Sequence, residues 1–250
     1  MCIRDRTNVT ELFDELISFG QHPKEKSDTV TVMEKIGHFL DDEVQKLFSW
    51  FKAEGNDNND ITRLIANKLD VRRVLQRAAR KFDGGYVMAG MIGHGDAFIL
   101  RDPLGIRPAY YYEDEEVVVM ASERPAIQTC FEVHISDVKE LKPGHALIVK
   151  SDGRVSEEQI LQPQPRQACS FERIYFSRGS DKDIYLERKE LGKALAPKIL
   201  DTIEYDLENT LFSFIPNTAE VAFYGMMEGV TDTVDAVSYT HLTLPTICSV

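Results

Sequence analysis

The residues best suited to chemistry in this sequence lie at two predicted helix starts. In Lys26-Ser-Asp-Thr29, Ser27 can cap a helix and Asp28 can complement its dipole, a contribution of about 0.3–1 kcal/mol. Ile215-Pro-Asn-Thr218 lies between a predicted buried strand and a predicted helix. Backbone N–H groups at such a turn favour anions, and a threonine hydroxyl can reach a phosphate or its magnesium ion. The simpler interpretation is that Thr218 only caps the helix.

The cysteines and histidines predict neither a disulfide framework nor a metal site. The four cysteines are scattered, which indicates a reducing compartment, and we therefore expect the cytoplasm. The six histidines have no metal-ligand spacing. Cys169, beside Phe171, is typical of a small buried apolar residue.

The composition excludes several classes of function. The net charge of −12 disfavours broad nucleic-acid binding, although a pocket can be locally positive inside an acidic protein. No apolar run approaches the length of a membrane span, so we expect no membrane partner. The first residues also lack the apolar core of a signal peptide.

The elements that would position these side chains begin with helices and continue with strands. Apolar residues recur at helical spacing in four segments: 9–17, 32–40, 44–51 and 71–78. Short apolar or β-branched runs follow at 86–93, 97–101, 109–112, 117–121, 146–150 and 154–156. This order predicts an antiparallel meander beside helices, that is, a layered α+β domain.

A Pro/Gln-rich hinge at 162–167 predicts the end of that domain. Beyond it the sequence predicts an extended segment, a helix, a buried strand and a second helix, at 173–177, 183–200, 211–216 and from about 219. A strand, a tight loop and a helix in succession are typical of the beginning of an α/β domain.

Two strings carry a resemblance to known families. Cys169-Ser-Phe-Glu-Arg-Ile-Tyr-Phe-Ser-Arg-Gly-Ser-Asp181 resembles the junction of amidophosphoribosyltransferases, where a Cys-x-x-Glu-x-x-Tyr-Phe-[Ala/Ser]-Arg run starts the transferase half. Arg101-Asp-Pro-Leu-Gly-Ile-Arg-Pro108, with Ala121-Ser-Glu123 and the Lys142-Pro-Gly-His145 turn, resembles glutaminase domains that use an N-terminal nucleophile. Asparagine synthetases share a close version of the second string, so it indicates the superfamily and not the reaction.

The resemblance implies an incomplete N-terminal-nucleophile-type glutaminase sandwich followed by the start of an α/β phosphoribosyltransferase domain. It implies that Asp28 holds the α-amino group of glutamine, and that Thr218 contacts phosphoribosyl pyrophosphate or magnesium. The intact enzyme would make 5-phosphoribosylamine for purine synthesis, with magnesium as cofactor and as a homo-oligomer.

The resemblance also implies that parts of the enzyme are missing here. Relatives begin with a nucleophilic cysteine followed by glycine and an apolar strand, whereas Cys2 is followed by Ile3 and then by the charged Arg4-Asp-Arg6. We therefore predict that Cys2 is not catalytic and that the chain alone is inactive. The cysteines that would complete an iron–sulfur cluster with Cys169 would lie beyond this chain, so we predict no cluster.

We predict four segments: a non-native tail at 1–6, a partial class II glutamine amidotransferase domain at 7–166, the start of a phosphoribosyltransferase domain at 167–236, and a second non-native tail at 237–250. The chain is thus expected to be an internal piece of a longer enzyme. Two alternatives remain open: a piece of another class II amidotransferase such as asparagine synthetase, and a non-catalytic interaction module.

Overall fold

The computed structural model describes residues 7–242, with side chains for residues 7–236. The predicted tail at 1–6, with Cys2, and residues 243–250 of the second predicted tail lie outside the described residues. The chain divides into two compact units between Cys169 and Ser170.

The helices of the first unit are α1 Val9–Ser18, α2 Asp28–Ala53, α3 Asn58–Lys68, α4 Val71–Ala79 and α5 Arg124–Phe131. The prediction of separate stripes at 32–40 and 44–51 was wrong, because both belong to α2. No glycine or proline interrupts residues 41–43, and apolar residues continue every third or fourth position beyond them. The apolar spacing predicted neither α3 nor α5, and α5 is a short helix with Pro125 in its first turn.

In the described part of the first unit, seven strands form two antiparallel sheets. They are β1 Val87–Met91, β2 Ala97–Arg101, β3 Tyr110–Glu113, β4 Val118–Ala121, β5 Lys139–Glu140, β6 His145–Val149 and β7 Val155–Gln159. Sheet A has the order β1-β2-β6-β7 and sheet B the order β4-β3-β5. The predicted single meander is therefore wrong: the loop after β2 carries the chain out of sheet A, and β6 returns to pair with β2.

Sheet A separates two apolar layers. Alternate residues of β2 face opposite sides, because successive side chains in a strand point in opposite directions. Phe98 and Leu100 pack with the helices of the first cluster, which includes Leu12 and Leu75. Ile99 packs with Tyr111 and other side chains between the two sheets. The first unit is thus a layer of helices, sheet A and sheet B, which is the predicted α+β architecture.

The described part of the second unit is helical. It contains a π-helical turn at Glu172–Phe176, then α6 Lys182–Thr202 and α7 Glu220–Leu242. Both long helices confirm the predictions. The extended segment predicted at 173–177 was wrong, since these residues mostly form the π-helical turn.

The buried strand predicted at 211–216 was also wrong. Leu211 and Ile215 are 93% and 83% exposed, and residues 211–215 have no regular structure. A strand is stabilised by pairing with a neighbour, and the described residues of this unit contain no other strand.

Helices α6 and α7 cross closely at Gly192. A Cβ atom at this position would lie 1.7 Å from the carbonyl oxygen of Ala222, so only glycine fits the crossing without a shift. Ala196, Leu200 and Val230 form the small buried core of the pair. Neither these helices nor any other in the described chain combines the length and apolar character needed to cross a membrane.

Candidate functional site

A pocket of about 770 Å³ lies between α2 and β1 in the first unit. Its walls are formed by residues of α2 between 28 and 40, residues 85–92 around β1, Phe98 of β2, and Arg107, Pro108, Met120 and Ser122. Most of these lining residues are apolar. Asp28 and Arg107 supply the charged side chains among the lining residues that the structure describes.

Asp28 reaches the pocket because it begins α2. Ser27 caps the helix, its hydroxyl accepting the N–H of Val30 at 3.4 Å, and the buried Thr31 hydroxyl donates to the Ser27 carbonyl at 2.7 Å. The half-buried Asp28 carboxylate thus lies at the positive end of the helix dipole. A carboxylate in this position can accept charge-assisted hydrogen bonds from an ammonium group.

Arg107 reaches the pocket through the loop that follows β2. Asp102 is fully buried, and its carboxylate accepts the N–H groups of Leu104, Ile106 and Arg107 at 3.1, 2.9 and 3.1 Å. The loop also needs a left-handed residue, which Gly105 supplies with φ of +61°. The loop is thus a tight connection between β2 and the pocket wall.

Arg101 completes the loop from its other side. This guanidinium is fully buried, donates from Nε to the carbonyl of Arg107 at 2.8 Å, and lies 2.9 Å from a carboxylate oxygen of Glu140. It also donates to the carbonyl of Leu141. A buried arginine with several acceptors is far less costly than an unpaired one.

The three strings that carry the glutaminase resemblance, at 101–108, 121–123 and 142–145, lie in or next to the pocket wall. The carbonyl of Asp102 accepts the N–H of Gly144, in the predicted Lys142–His145 turn, at 3.0 Å. Ser122, from the third string, lines the pocket. Sequence reasoning recognised these strings but did not identify Arg107 as a pocket residue. The signal available was its place at the end of a turn rich in glycine and proline.

Thr218 lies in the second unit, in the turn at 216–219 that immediately precedes α7. It is half-buried. The strand that was expected to lead into this turn is absent from the described residues, so the predicted strand–turn–helix setting is not formed here. Asp28 and Thr218 thus belong to different units.

The cysteines do not form a metal centre in the described part of the chain. Cys169 is half-buried and Cys130 is exposed, and both are free thiols. No cluster of three or more histidine, cysteine, aspartate or glutamate side chains suited to a metal occurs among the described residues. Cys2 lies outside them.

Curated relatives and solved structures resemble this chain. It is 31% identical over 179 residues to an amidophosphoribosyltransferase of Archaeoglobus fulgidus, covering 68% of this chain and 36% of the relative. It is 27% identical over 191 residues to that of Lachancea kluyveri, covering 72% of this chain and 36% of the relative. A scan against protein-family profiles finds no match.

The solved structure of glutamine phosphoribosylpyrophosphate amidotransferase from B. subtilis, complexed with ADP and GMP, has a similar fold. The TM-score is 0.61 at 21% identity, over 91% of this chain and 42% of that chain. This likeness confirms the predicted α+β fold class. The chain spans little more than a third of the length of the curated relatives it matches.

Proposed function

We propose that this chain, which is similar over about two thirds of its length to amidophosphoribosyltransferases, is part of an enzyme of that activity. The enzyme would hydrolyse glutamine in one half and transfer the ammonia to C1 of phosphoribosyl pyrophosphate in the other, with release of pyrophosphate. This step makes 5-phosphoribosylamine for purine synthesis.

The observation that carries the proposal is the pocket of the first unit. It brings the carboxylate of Asp28 to the same cavity as the Arg101–Pro108 loop, two features that the sequence separates by more than seventy residues. Glutamine is a zwitterion with a short polar side chain, and a pocket with one carboxylate, one guanidinium and apolar walls is suited to it. Asp28 would hold the α-amino group.

The second unit would supply the beginning of the transferase half. Its Thr218 turn precedes α7, and backbone N–H groups at a helix start attract phosphate. Thr218 would contact phosphoribosyl pyrophosphate or the magnesium ion that accompanies it. The described residues offer no clustered carboxylates for that ion, so the substrate's own phosphates would hold most of it.

The proposal includes the setting of the intact enzyme. We expect a homo-oligomer in the cytoplasm, without an iron–sulfur cluster on Cys169. The free thiols of Cys130 and Cys169 suit a reducing compartment. We expect no nucleic-acid partner, since the chain carries a net charge of −12.

The test uses the full-length enzyme that contains this segment. Glutamate and pyrophosphate release are measured with glutamine, phosphoribosyl pyrophosphate and magnesium. Replacing Asp28→Asn should raise the KM for glutamine about tenfold or more, because a charge-assisted hydrogen bond to the ammonium group is lost. The rate with ammonium chloride as the nitrogen source should stay at the parent value.

Asp41→Asn is the matched control, because Asp41 is an exposed carboxylate in the middle of the same helix. A KM for glutamine that is unchanged in Asp28→Asn would remove Asp28 from the site. Failure of the parent enzyme to release pyrophosphate from phosphoribosyl pyrophosphate would contradict the proposed function as a whole. For the second unit, loss of phosphoribosyl pyrophosphate binding in Thr218→Val would support the assignment of Thr218, and retained binding would oppose it.

A further inference from the structure

The peptide groups on both sides of Arg107 are held by two neighbouring charged side chains. Its N–H donates to the carboxylate of Asp102 at 3.1 Å, and its carbonyl accepts from Nε of Arg101 at 2.8 Å. Arg101 ends β2 and Asp102 follows it directly. The backbone of Arg107 is thereby fixed in two directions by groups that belong to a rigid sheet.

Asp102 also fixes the pocket wall beside β1. The N–H of Tyr86 donates to its carboxylate at 3.4 Å, and its own N–H donates to the carbonyl of Tyr86 at 2.9 Å. Tyr86 and Arg107 both line the pocket. One buried carboxylate therefore sets the position of two separate segments of the pocket wall relative to each other.

A turn alone can be stabilised without the burial of charged side chains, which costs free energy. In the turn after β3, the exposed carboxylate of Asp114 accepts the N–H groups of Glu116 and Val117, both at 2.8 Å. That turn is held without burying a charge. The side chains of Arg101 and Asp102 are both fully buried, and burying a charge costs free energy even when it is paired. The difference indicates that the backbone of residues 101–108 is positioned more rigidly than a simple connection between strands requires.

We infer that Arg101 and Asp102 are positioning residues for glutamine binding, and that they act by holding Arg107 at the pocket wall. The guanidinium of Arg107 then adds a positive charge to the cavity that contains the Asp28 carboxylate. A substrate that carries both an ammonium and a carboxylate group meets both charges in fixed places. The inference rests on the proposed function, because it concerns the glutamine that the pocket would take.

The test compares Asp102→Asn, Arg107→Gln and the double variant in the full-length enzyme. Asparagine keeps the shape of Asp102 but offers one acceptor oxygen in place of two, so part of the loop is released. Each single variant should raise the KM for glutamine about tenfold, with a smaller effect on kcat. The double variant should exceed Arg107→Gln by less than about twofold, because Asp102 acts through Arg107. Arg107→Lys, which keeps the charge, should recover part of the loss.

Asp114→Asn is the matched control, since it removes a turn carboxylate of similar hydrogen bonding outside the pocket, and it should behave as the parent. The inference is overturned if Asp102→Asn lowers the folded fraction but leaves the KM for glutamine unchanged. It is also overturned if the effects of the two single variants multiply in the double variant. Arg107→Gln decides the matter if Asp102→Asn does not fold, because an unchanged KM would then exclude the role of Arg107.

Measurements on the parent enzyme distinguish failure of the positioning role from failure of the proposed function. If the parent uses glutamine and the variants have the parent's KM, only the positioning role fails. If the parent makes no product from glutamine but does so from ammonium chloride, the glutaminase function itself fails, and this inference with it.

Discussion

The two units of this chain bury their apolar side chains to very different extents. In the first unit, two apolar layers are enclosed between helices and sheets, with many side chains almost fully buried. Among the described side chains of the second unit, the buried cluster consists of Ala196, Leu200 and Val230. Its exposed large apolar side chains include Phe171, Ile174, Tyr175, Leu186, Leu191, Leu195, Leu211 and Ile215.

The difference shows what each kind of element needs from its neighbours. Helices α6 and α7 satisfy their backbone hydrogen bonds internally, so they can form with only each other for packing. A strand cannot do this, because its N–H and C=O groups need a partner strand. An apolar sequence such as that at 211–216 therefore takes no regular structure where the described chain provides no adjacent strand.

The largest expected effect comes from the enclosed core of the first unit. Leu75→Ala should lower the free energy of unfolding by about 3 kcal/mol, because Leu75 is fully buried and a cavity would remain. Leu195→Ala, at a position 53% exposed on α6, should cost less than about 0.5 kcal/mol. Urea unfolding followed by the fluorescence of Trp50, the single tryptophan, measures Leu75→Ala in the first unit, and circular dichroism at 222 nm measures Leu195→Ala in the helical second unit. Equal costs in the two variants would contradict the comparison.

The second prediction concerns the close contact between α6 and α7 in the second unit. Gly192→Ala should destabilise that unit by about 2 kcal/mol, since the added methyl group would force α6 away from Ala222. Gly37→Ala is the matched control within α2, where a Cβ atom meets nothing within 4 Å. There alanine should stabilise the helix by up to about 1 kcal/mol. Circular dichroism at 222 nm should show the loss for Gly192→Ala, with the Trp50 transition unchanged.

The third effect concerns pH and the buried Asp96 of the first unit. Burial raises the pKa of Asp96, but hydrogen bonds from Lys150, His94 and the N–H of Ser151 outweigh it, so the pKa lies below its ordinary value. The ionised carboxylate therefore stabilises the fold above about pH 4, and this stabilisation is lost as the pH falls through the lowered pKa. Asp96→Asn should cost about 1.5 kcal/mol at pH 7 and progressively less in acid.

Urea midpoints between pH 7 and pH 3 measure this dependence. The curves of parent and Asp96→Asn should converge as the pH falls. Asp152→Asn is the control, because Asp152 is an exposed carboxylate in the nearby turn and its charge is screened by solvent. Parallel curves for the parent and Asp96→Asn would show that Asp96 does not carry the pH dependence.

The smallest effect compares the N-terminal caps of one long helix in each unit, α2 and α6. Asp181 is buried and its carboxylate accepts the N–H groups of Asp183 and Ile184 at 3.0 and 3.3 Å. Asp181→Ala should cost about 1 kcal/mol, and Ser27→Ala, which loses one 3.4 Å hydrogen bond, about half as much. Thermal unfolding of each variant measures both. A larger cost for Ser27→Ala would reverse this order.

Much of the fold could be predicted from local patterns. The helical spacing at 183–200 and the short apolar runs near 97–101 and 146–150 led to α6, β2 and β6, because side-chain period follows directly from backbone geometry. The pairing of β2 with β6 could not be predicted in this way. Some forty residues separate these strands, and the pattern of each strand is equally compatible with other partners.

The candidate site was predictable to a lesser degree. Asp28 could be singled out because a helix start and a family resemblance coincide there, although its binding role stays a prediction. Arg107 could not, because its position in the pocket depends on Asp102 and Arg101, whose partners lie just before β1 and in β5. Such contacts arise only once the two sheets are assembled.

The interactions of Arg101 and Asp102 that hold the loop after β2 limit the changes in chain length that this part of the sequence can tolerate. Asp102 reaches Tyr86 beside sheet A, while Arg101 reaches Leu141 and Glu140 beside sheet B. One inserted or deleted residue before Arg101 would exchange the sides to which these two charges point. Such a change of length would leave a buried charge without its partners, whereas a substitution at a half-buried position such as Leu104 leaves both charges in place.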